Sequence, residues 1–211
     1  MIRVHHLNNS RSQRVLWLLE ELELPYEIVP YARDPKTMLA PPELRQIHPL
    51  GKSPVIQDGT FILAETGAIV DYLVDRYGEG RLAPRRGEEG YWRYAYWLHY
   101  AEGSLMPPLL LKLVLSKLGL LGRPARPFVD AQLKLHFDYL EAELAASPWL
   151  AGQEFSAADI MMSFPVEAGA SRGDATVARP NVKAFLERIH ARPAYQRALE
   201  RGGKYAYAKV G

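Results

Sequence analysis

The sequence predicts a chain of two halves, a small α/β half followed by a larger all-helical half. In residues 1–78, strand-like and helix-like segments alternate in the order β-α-β-α-β-β-α. After residue 87 the strand signals stop, and apolar residues recur at spacings of three and four, which is typical of helices. Residues 79–87 contain glycine and proline and are predicted to form a linker, so the predicted domains are 1–78 and 88–211.

The first three elements form a predicted βαβ unit. Residues 2–7 are β-branched and apolar enough to favour a short strand. Ser10 and Gln13 have the spacing of a capping box, so a helix is predicted to begin at Ser10 and to stop at Pro25. Residues 26–29 alternate polar and apolar, as a second strand does. We expect the two strands to pair in parallel with a right-handed crossover.

A hairpin and a helix complete the α/β half. A proline-rich loop with a short helical turn at 43–47 leads to two further short strands, 54–57 and 60–64. The Asp58-Gly59 pair between these strands is a strong signal for a two-residue hairpin turn. Residues 65–77 carry their apolar residues on one helical stripe, and glycines end that helix.

The second half is predicted to be helical throughout. Residues 88–119 are predicted as one long helix bent at Pro107-Pro108, because proline cannot donate the backbone hydrogen bond of a helix interior. A second helix is expected from Pro127 or Phe128 to Ala146. Residues 156–159 resemble a capping box that opens a third helix. Two shorter helices are predicted at 182–191 and 194–201.

Composition excludes several classes of function. The chain has 211 residues and no cysteine, which rules out disulfides, Cys-ligated zinc or iron–sulfur sites and a cysteine nucleophile. Its 26 basic and 24 acidic residues nearly balance, which is poor evidence for nucleic-acid binding. The six histidines lack a metal-ligand spacing, so no metal is expected. With no signal-peptide or membrane-spanning pattern, we expect a cytoplasmic protein without a membrane partner.

Two helix starts carry candidate chemistry. Ser10 lies where the first strand turns into a helix, whose N-terminal N–H groups favour a bound anion. Its hydroxyl can cap the helix or donate to a thiolate or oxyanion, and spacing leaves both roles open. Glu65 and Thr66 lie where the hairpin enters the next helix, and together they suit the ammonium and carboxylate groups of an amino-acid end. Their alternative role is helix capping.

A third segment is residues 48–54, His-Pro-Leu-Gly-Lys-Ser-Pro. Gly51 permits a tight turn, and the Ser53–Pro54 bond opens a strand and can be cis. Exposed backbone groups at a strand edge can capture a peptide as an added strand. The alternative is a trans proline at a strand start, with Lys52 as a solvated charge.

Together these three segments resemble the glutathione site of the cytosolic glutathione S-transferases of the serine type, and in particular a microbial subgroup from bacteria and fungi. Residues 155–160 also resemble the capping motif of that family's helical domain. The resemblance covers essentially the whole chain. It implies a thioredoxin-like N-terminal domain, an all-helical C-terminal domain, glutathione as cosubstrate and a homodimer.

The resemblance also assigns the site residues. The resemblance implies that Lys52 pairs with the glycine carboxylate of glutathione and that the backbone of Ser53 pairs with the cysteinyl part. Pro54 becomes the structural cis-proline, while Glu65 and Thr66 hold the γ-glutamyl end. The family commonly has valine in place of Ser53 and serine in place of Thr66, so both positions depart from its pattern.

Ser10 becomes the catalytic residue that activates the glutathione thiol, with Ser12 as a competitor for that role. The implied reaction is attack of the thiolate on an apolar electrophile, as in detoxification. An aromatic-rich segment at 91–100 suggests that the electrophile binds between the halves. The candidate pocket residues are Tyr96, Tyr100 and Met106. The alternatives are peroxidase activity at the same site, or a non-catalytic glutathione-binding carrier or interaction module.

Overall fold

The structure of the protein, a computed structural model, describes residues 1–171, 175–176 and 178–208. These residues divide into two units. The first unit comprises Met1–Ala83 and His190–Ala206. The second comprises Pro84–Ile189 and the described residues from Tyr207 onward.

A four-stranded sheet in the order β2-β1-β3-β4 forms the centre of the first unit. β1 pairs with β2 in parallel and with β3 antiparallel, and β3 and β4 form an antiparallel hairpin. This arrangement confirms the predicted order of elements. The strands are β1 (Ile2–Leu7), β2 (Tyr26–Tyr31), β3 (Val55–Asp58) and β4 (Phe61–Ala64), and the helices between or after them are α1 (Ser12–Glu21), α2 (Leu44–Ile47) and α3 (Thr66–Tyr77).

The first helix begins later than the capping pattern predicts. α1 starts at Ser12, its N-cap is Arg11, and no side chain caps it. The predicted capping box of Ser10 and Gln13 is therefore wrong. The reason is local, because Asn9 has a φ of 49° and turns the backbone before the helix. The Ser10 hydroxyl then accepts from the Ser12 N–H at 3.2 Å, inside the turn.

The last helix belongs to the first unit, whereas the sequence analysis assigns all residues after 87 to the helical half. α9 (Pro193–Gly202) packs against α1. Trp17 and Tyr195 meet edge to face with ring centroids 5.1 Å apart. The Arg192 guanidinium donates to both carboxylate oxygens of Glu21, at 2.6 and 2.8 Å. Helical periodicity identifies the apolar stripe of α9, but it contains no information about which helix covers that stripe.

Helices make up the second unit. The predicted helix 88–119 is present as continuous helical backbone from Tyr91 to Lys117, with a π-helical segment, Ala101–Leu105, in its middle. The prolines 107 and 108 lie in the first turn of the following helix, where a missing N–H costs little. The helices are α4 (Tyr91–Tyr100), α5 (Met106–Lys117), α6 (Arg126–Ala146), α7 (Ala157–Ala170) and α8 (Pro180–His190), with a 3₁₀ turn at Arg123–Ala125.

α7 forms the centre of the second unit. Its residues from Ala157 to Gly169 are all buried, and it packs against α4 and α5. The predicted capping box is confirmed, since the Ser156 N–H donates to the Asp159 carboxylate at 2.9 Å. The same carboxylate accepts the Leu150 N–H at 2.9 Å, which ties the preceding loop to the helix. None of the helices in the described part of the chain has the length and apolar character needed to cross a membrane.

Candidate active site

Strand register brings the three predicted segments of the first unit to one end of its sheet. His5 near the end of β1 pairs with Val55 at the start of β3, and Val55 pairs with Ala64 at the end of β4. The loop after β1, the loop before β3 and the start of α3 therefore lie side by side. The N-termini of α1 and α3 are at this same end, and each has backbone N–H groups without an intrahelical acceptor.

Residues that the sequence analysis missed fix the shape of the loop between β1 and α1. The Arg33 guanidinium donates to the carbonyls of Asn8 and Asn9, at 3.1 and 3.2 Å. Asn8 Oδ1 accepts the Arg33 N–H at 2.9 Å, and Asn9 Oδ1 accepts the N–H of Ala206 at 2.7 Å. Two adjacent asparagines after a strand indicate a turn, but no local pattern predicts their partners.

Ser10 is held in a network of buried side chains. Its Oγ lies 2.7 Å from Ser12 Oγ, and Ser12 Oγ lies 2.8 Å from His6 Nδ1. Ser10 is 4% exposed and Ser12 is completely buried, so Ser10 is the more accessible of the two hydroxyls. Burial lowers the pKa of His6, while the carbonyl of Gly202 acts in the opposite direction. No sequence pattern indicated a role for His6.

Ser53 uses its side chain as well as its backbone. Its hydroxyl donates to the carbonyl of His5 at 2.9 Å and accepts the Leu7 N–H at 3.3 Å. The hydroxyl therefore extends the pairing of β1 with β3 beyond the last strand residue, which valine at this position cannot do. The Ser53–Pro54 peptide bond is cis, as predicted. Lys52 is exposed, and the turn before it has Gly51 at a φ of 57°.

Glu65 has an unusual backbone conformation. Its φ is 70° and its ψ is 116°, a region that residues other than glycine rarely occupy. Such strain costs on the order of 1–3 kcal/mol and is concentrated at functional sites. Glu65 is the N-cap of α3 with its side chain exposed, and Thr66 is the first helical residue and is 5% exposed. Glu65 makes no side-chain capping bond, and its carboxylate is accessible.

The predicted pocket residues lie in the second unit. Tyr96 is 45% exposed, whereas Tyr100 and Met106 are each only 8% exposed. The Tyr100 hydroxyl and His136 Nδ1 are 2.5 Å apart, and burial raises the pKa of that tyrosine. Among these three, only Tyr96 has a side chain that a substrate can reach in this conformation. Across the described residues, no group of three potential ligands is placed to hold a metal ion.

Comparison with known proteins identifies the family. Residues 1–75 match the glutathione S-transferase N-terminal domain, and residues 123–193 match the glutathione S-transferase C-terminal domain. Glutathione S-transferase 1 of Saccharomyces cerevisiae is 36% identical, over 95% of this chain and 95% of the yeast protein. Glutathione S-transferase GstB of Escherichia coli K12 is 31% identical, over 94% of this chain and 98% of that protein.

A solved structure agrees with the sequence matches. The crystal structure of a glutathione S-transferase from Actinobacillus pleuropneumoniae is 39% identical and superposes with a TM-score of 0.87. The match covers 98% of this chain and 94% of that one. Both halves of the fold and nearly the whole length are thus shared with transferases. The chain belongs to the glutathione S-transferase family.

Proposed function

We propose that this transferase binds glutathione at the end of the sheet where the loops after β1 and before β3 meet the start of α3. The observation that supports this best is the strand register, which places Ser10, Ser53 and Glu65 on neighbouring loops of one unit. Two helix N-termini at the same end favour a bound anion, which suits a thiolate and a carboxylate.

Each predicted residue has a role that fits its exposure. The exposed Glu65 carboxylate pairs with the α-ammonium group of the γ-glutamyl residue, and the Thr66 N–H at the start of α3 donates to its carboxylate. The backbone of Ser53 pairs with the cysteinyl part as an added strand does. The exposed Lys52 ammonium pairs with the glycine carboxylate. The cysteinyl sulfur then lies against Ser10.

The chemistry consists of stabilising and positioning the thiolate. A free thiol with a pKa of about 8.5 is roughly 3% ionised at pH 7, and lowering that pKa by about two units makes most of it thiolate. A hydroxyl donor and a helix N-terminus both stabilise the anion. The thiolate attacks an electrophilic carbon, a C–S bond forms, and a leaving group such as halide departs. The transferase relatives favour this reaction over peroxidase or carrier roles.

The test is binding and turnover with a matched pair of serine variants. Wild-type protein should be retained on immobilised glutathione and should conjugate glutathione to an activated aromatic halide. Ser10→Ala should lower kcat by about a hundredfold, the loss typical of removing one donor to a developing anion. Ser116→Ala, which removes an exposed hydroxyl on α5, should leave kcat unchanged.

Failure of wild-type protein to bind glutathione would refute the proposal, and unchanged activity in Ser10→Ala would move the activating role elsewhere. Retention without turnover on halides and hydroperoxides would indicate a carrier. We also propose a cytoplasmic homodimer that takes an apolar electrophile near Tyr96. Light scattering on the purified protein tests the dimer, and KM for the electrophile in Tyr96→Ala tests the pocket.

A further inference from the structure

A line of four hydrogen-bonded groups runs from Ser10 into the interior of the first unit. Ser10 Oγ bonds to Ser12 Oγ at 2.7 Å, and Ser12 Oγ bonds to His6 Nδ1 at 2.8 Å. His6 Nε2 lies 3.0 Å from the carbonyl oxygen of Gly202 at the end of α9. His6 is 4% exposed and Ser12 is fully buried, so bulk water has little access to these bonds. We call these four groups the serine–histidine relay.

The Gly202 carbonyl fixes the direction of each proton in the relay. A carbonyl only accepts, so Nε2 of neutral His6 carries the proton and Nδ1 is an acceptor. Ser12 Oγ lies 2.8 Å from Nδ1 and 3.3 Å from the Leu7 carbonyl, so its proton goes to the nearer acceptor, Nδ1, and the proton between the two hydroxyls comes from Ser10. Burial lowers the pKa of His6, so the ring is neutral without ligand, whereas the negative charge of a thiolate at Ser10 acts in the opposite direction and favours the imidazolium. Without ligand, the Ser10 hydroxyl therefore donates to Ser12 and accepts the Ser12 N–H, so it has no proton left to donate, whereas stabilising a thiolate requires a donor.

We propose that His6 is a positioning residue that receives the proton of the bound glutathione thiol through Ser10 and Ser12. This inference rests on the proposed role of Ser10 at the thiol. Three protons each move by one place. The S–H bond breaks as the thiol proton binds Ser10 Oγ, the Ser10 proton passes to Ser12 Oγ, and the Ser12 proton passes to His6 Nδ1.

The products are a thiolate, two neutral hydroxyls and an imidazolium, so total charge is unchanged. Every hydrogen bond between the sulfur and His6 is then reversed, and Ser10 donates to the thiolate. The imidazolium donates from Nδ1 to Ser12 and from Nε2 to the Gly202 carbonyl, which satisfies both of its N–H groups. When the C–S bond forms and the leaving anion departs, the proton on His6 Nδ1 returns through Ser12 and Ser10 to solvent.

Besides the two histidines, the ionisable groups around β1 are carboxylates, guanidinium groups, tyrosines and the amino terminus of Met1. Burial raises the pKa of both tyrosines of β2, Tyr26 and Tyr31. The elements that contact β1 carry Arg14, Glu20 and Glu21 on α1, Tyr26, Glu27 and Tyr31 on β2, Asp58 on β3, and Tyr195, Arg197, Glu200 and Arg201 on α9, with Arg192 directly before α9. On β1 itself, Arg3 pairs with Glu27, and His5 Nδ1 bonds to the Tyr31 hydroxyl at 2.9 Å. His5 therefore provides a matched control for His6.

The experiment measures the pKa of the enzyme-bound glutathione thiol by the ultraviolet absorbance of its thiolate. His6→Asn keeps an acceptor for Ser12 but cannot take a proton, and Ser12→Ala interrupts the relay. In both variants the bound thiol pKa should rise by about one unit, a tenfold loss of thiolate at pH values below it. Turnover should fall by the same factor at acidic pH and approach wild type at alkaline pH. His5→Asn should retain the wild-type thiol pKa.

Binding of S-methylglutathione, which has no thiol proton, separates the two proposals. Its Kd should be the same in wild type, His6→Asn and Ser12→Ala, because the relay acts on the proton alone. A wild-type protein that binds neither glutathione nor S-methylglutathione refutes the proposed function. If wild-type protein binds glutathione and S-methylglutathione and lowers the thiol pKa, and His6→Asn lowers that pKa equally, the relay is refuted and the proposed function is not. An equal rise in His5→Asn also overturns the relay, and if Ser12→Ala fails to fold, His6→Asn decides.

Discussion

Replacing Glu20 by glutamine tests what holds α9 on α1, and thus what holds the Gly202 carbonyl near His6. The Glu20 carboxylate accepts hydrogen bonds from the Tyr26 hydroxyl at 2.8 Å, from Arg197 Nε at 2.8 Å and from Arg201 Nη1 at 2.9 Å. The two arginines come from α9, whereas Glu20 lies on α1. Arg201 also lies 3.7 Å above the Tyr26 ring, a contact that the variant retains.

The magnitude follows from the exposure of each partner. The side chains of Arg197 and Arg201 are 47% and 44% exposed, so each ion pair is screened and contributes about 0.5–1 kcal/mol. The buried Tyr26 hydroxyl keeps an acceptor in glutamine and loses only the assistance of the charge, about 1 kcal/mol. We expect Glu20→Gln to lower the free energy of unfolding by about 2–3 kcal/mol in total.

The stability lost in Glu20→Gln should be larger at neutral pH than at acidic pH. Burial raises the pKa of Glu20, but the hydrogen bonds from Arg197, Tyr26 and Arg201 outweigh it, and the net pKa in the folded state is below its usual value. An unfolded glutamate has a pKa of about 4.3, so the unfolded state binds more protons near that pH. The stabilisation is fully present above that pKa and is lost as pH falls through the lower folded value.

Urea unfolding monitored by circular dichroism and tryptophan fluorescence measures the difference. At neutral pH the midpoint should fall by roughly 1 M, given an m-value of about 2–3 kcal/mol/M. Glu200→Gln, the same change at an exposed position of α9, is the control and should leave the midpoint unchanged. A loss below about 0.5 kcal/mol in Glu20→Gln, or a loss that stays constant down to acidic pH, would refute the reasoning.

Two further substitutions test strain and packing. Glu65→Gly should relieve the positive φ and raise the free energy of unfolding by about 1 kcal/mol while weakening glutathione binding. Calorimetric titration and urea unfolding measure these effects, and Glu65→Gln should lose affinity without gaining stability. Gly169→Ala should destabilise the second unit by about 1–3 kcal/mol, because its Cβ would lie within 2.4 Å of the Phe137 ring. Thermal unfolding measures this loss of stability. An unchanged melting temperature in Gly169→Ala would contradict the expected clash, and so would a double variant in which Phe137→Leu restores no stability.

Local patterns predict much of the fold because the interactions that define it are short in sequence. The hairpin at Asp58-Gly59 and the capping box at Ser156 each involve residues only a few positions apart, and both are present. A local pattern gives a wrong prediction at Ser10 and Gln13, whose spacing suits a capping box that is not formed. The Ser10 hydroxyl accepts the Ser12 N–H in place of a capping bond. The positive φ of Asn9 turns the backbone, and the helix begins at Ser12.

Some features of the candidate site can likewise be predicted from local motifs, whereas others depend on the folded structure. Sequence motifs alone indicate Ser10, the Ser53–Pro54 bond and the Glu65-Thr66 pair, because each lies at a junction between elements that can be recognised locally. Exposure separates Ser10 from Ser12 only once α1 is folded against the sheet. Burial of a tyrosine or methionine in a helical bundle likewise depends on which faces meet, so the predicted pocket residues differ in accessibility.

The sequence by itself determined the order of the elements, the absence of a thiol and the residue types that suit glutathione. Only the tertiary structure decided that α9 packs on α1 and that its last carbonyl contacts His6, 196 positions earlier in the chain. Periodicity shows which face of a helix is apolar but not what covers it, since that depends on contacts between distant segments. The proton direction at Ser10 is set by the same long-range contact, because a carbonyl oxygen accepts hydrogen bonds and cannot donate them.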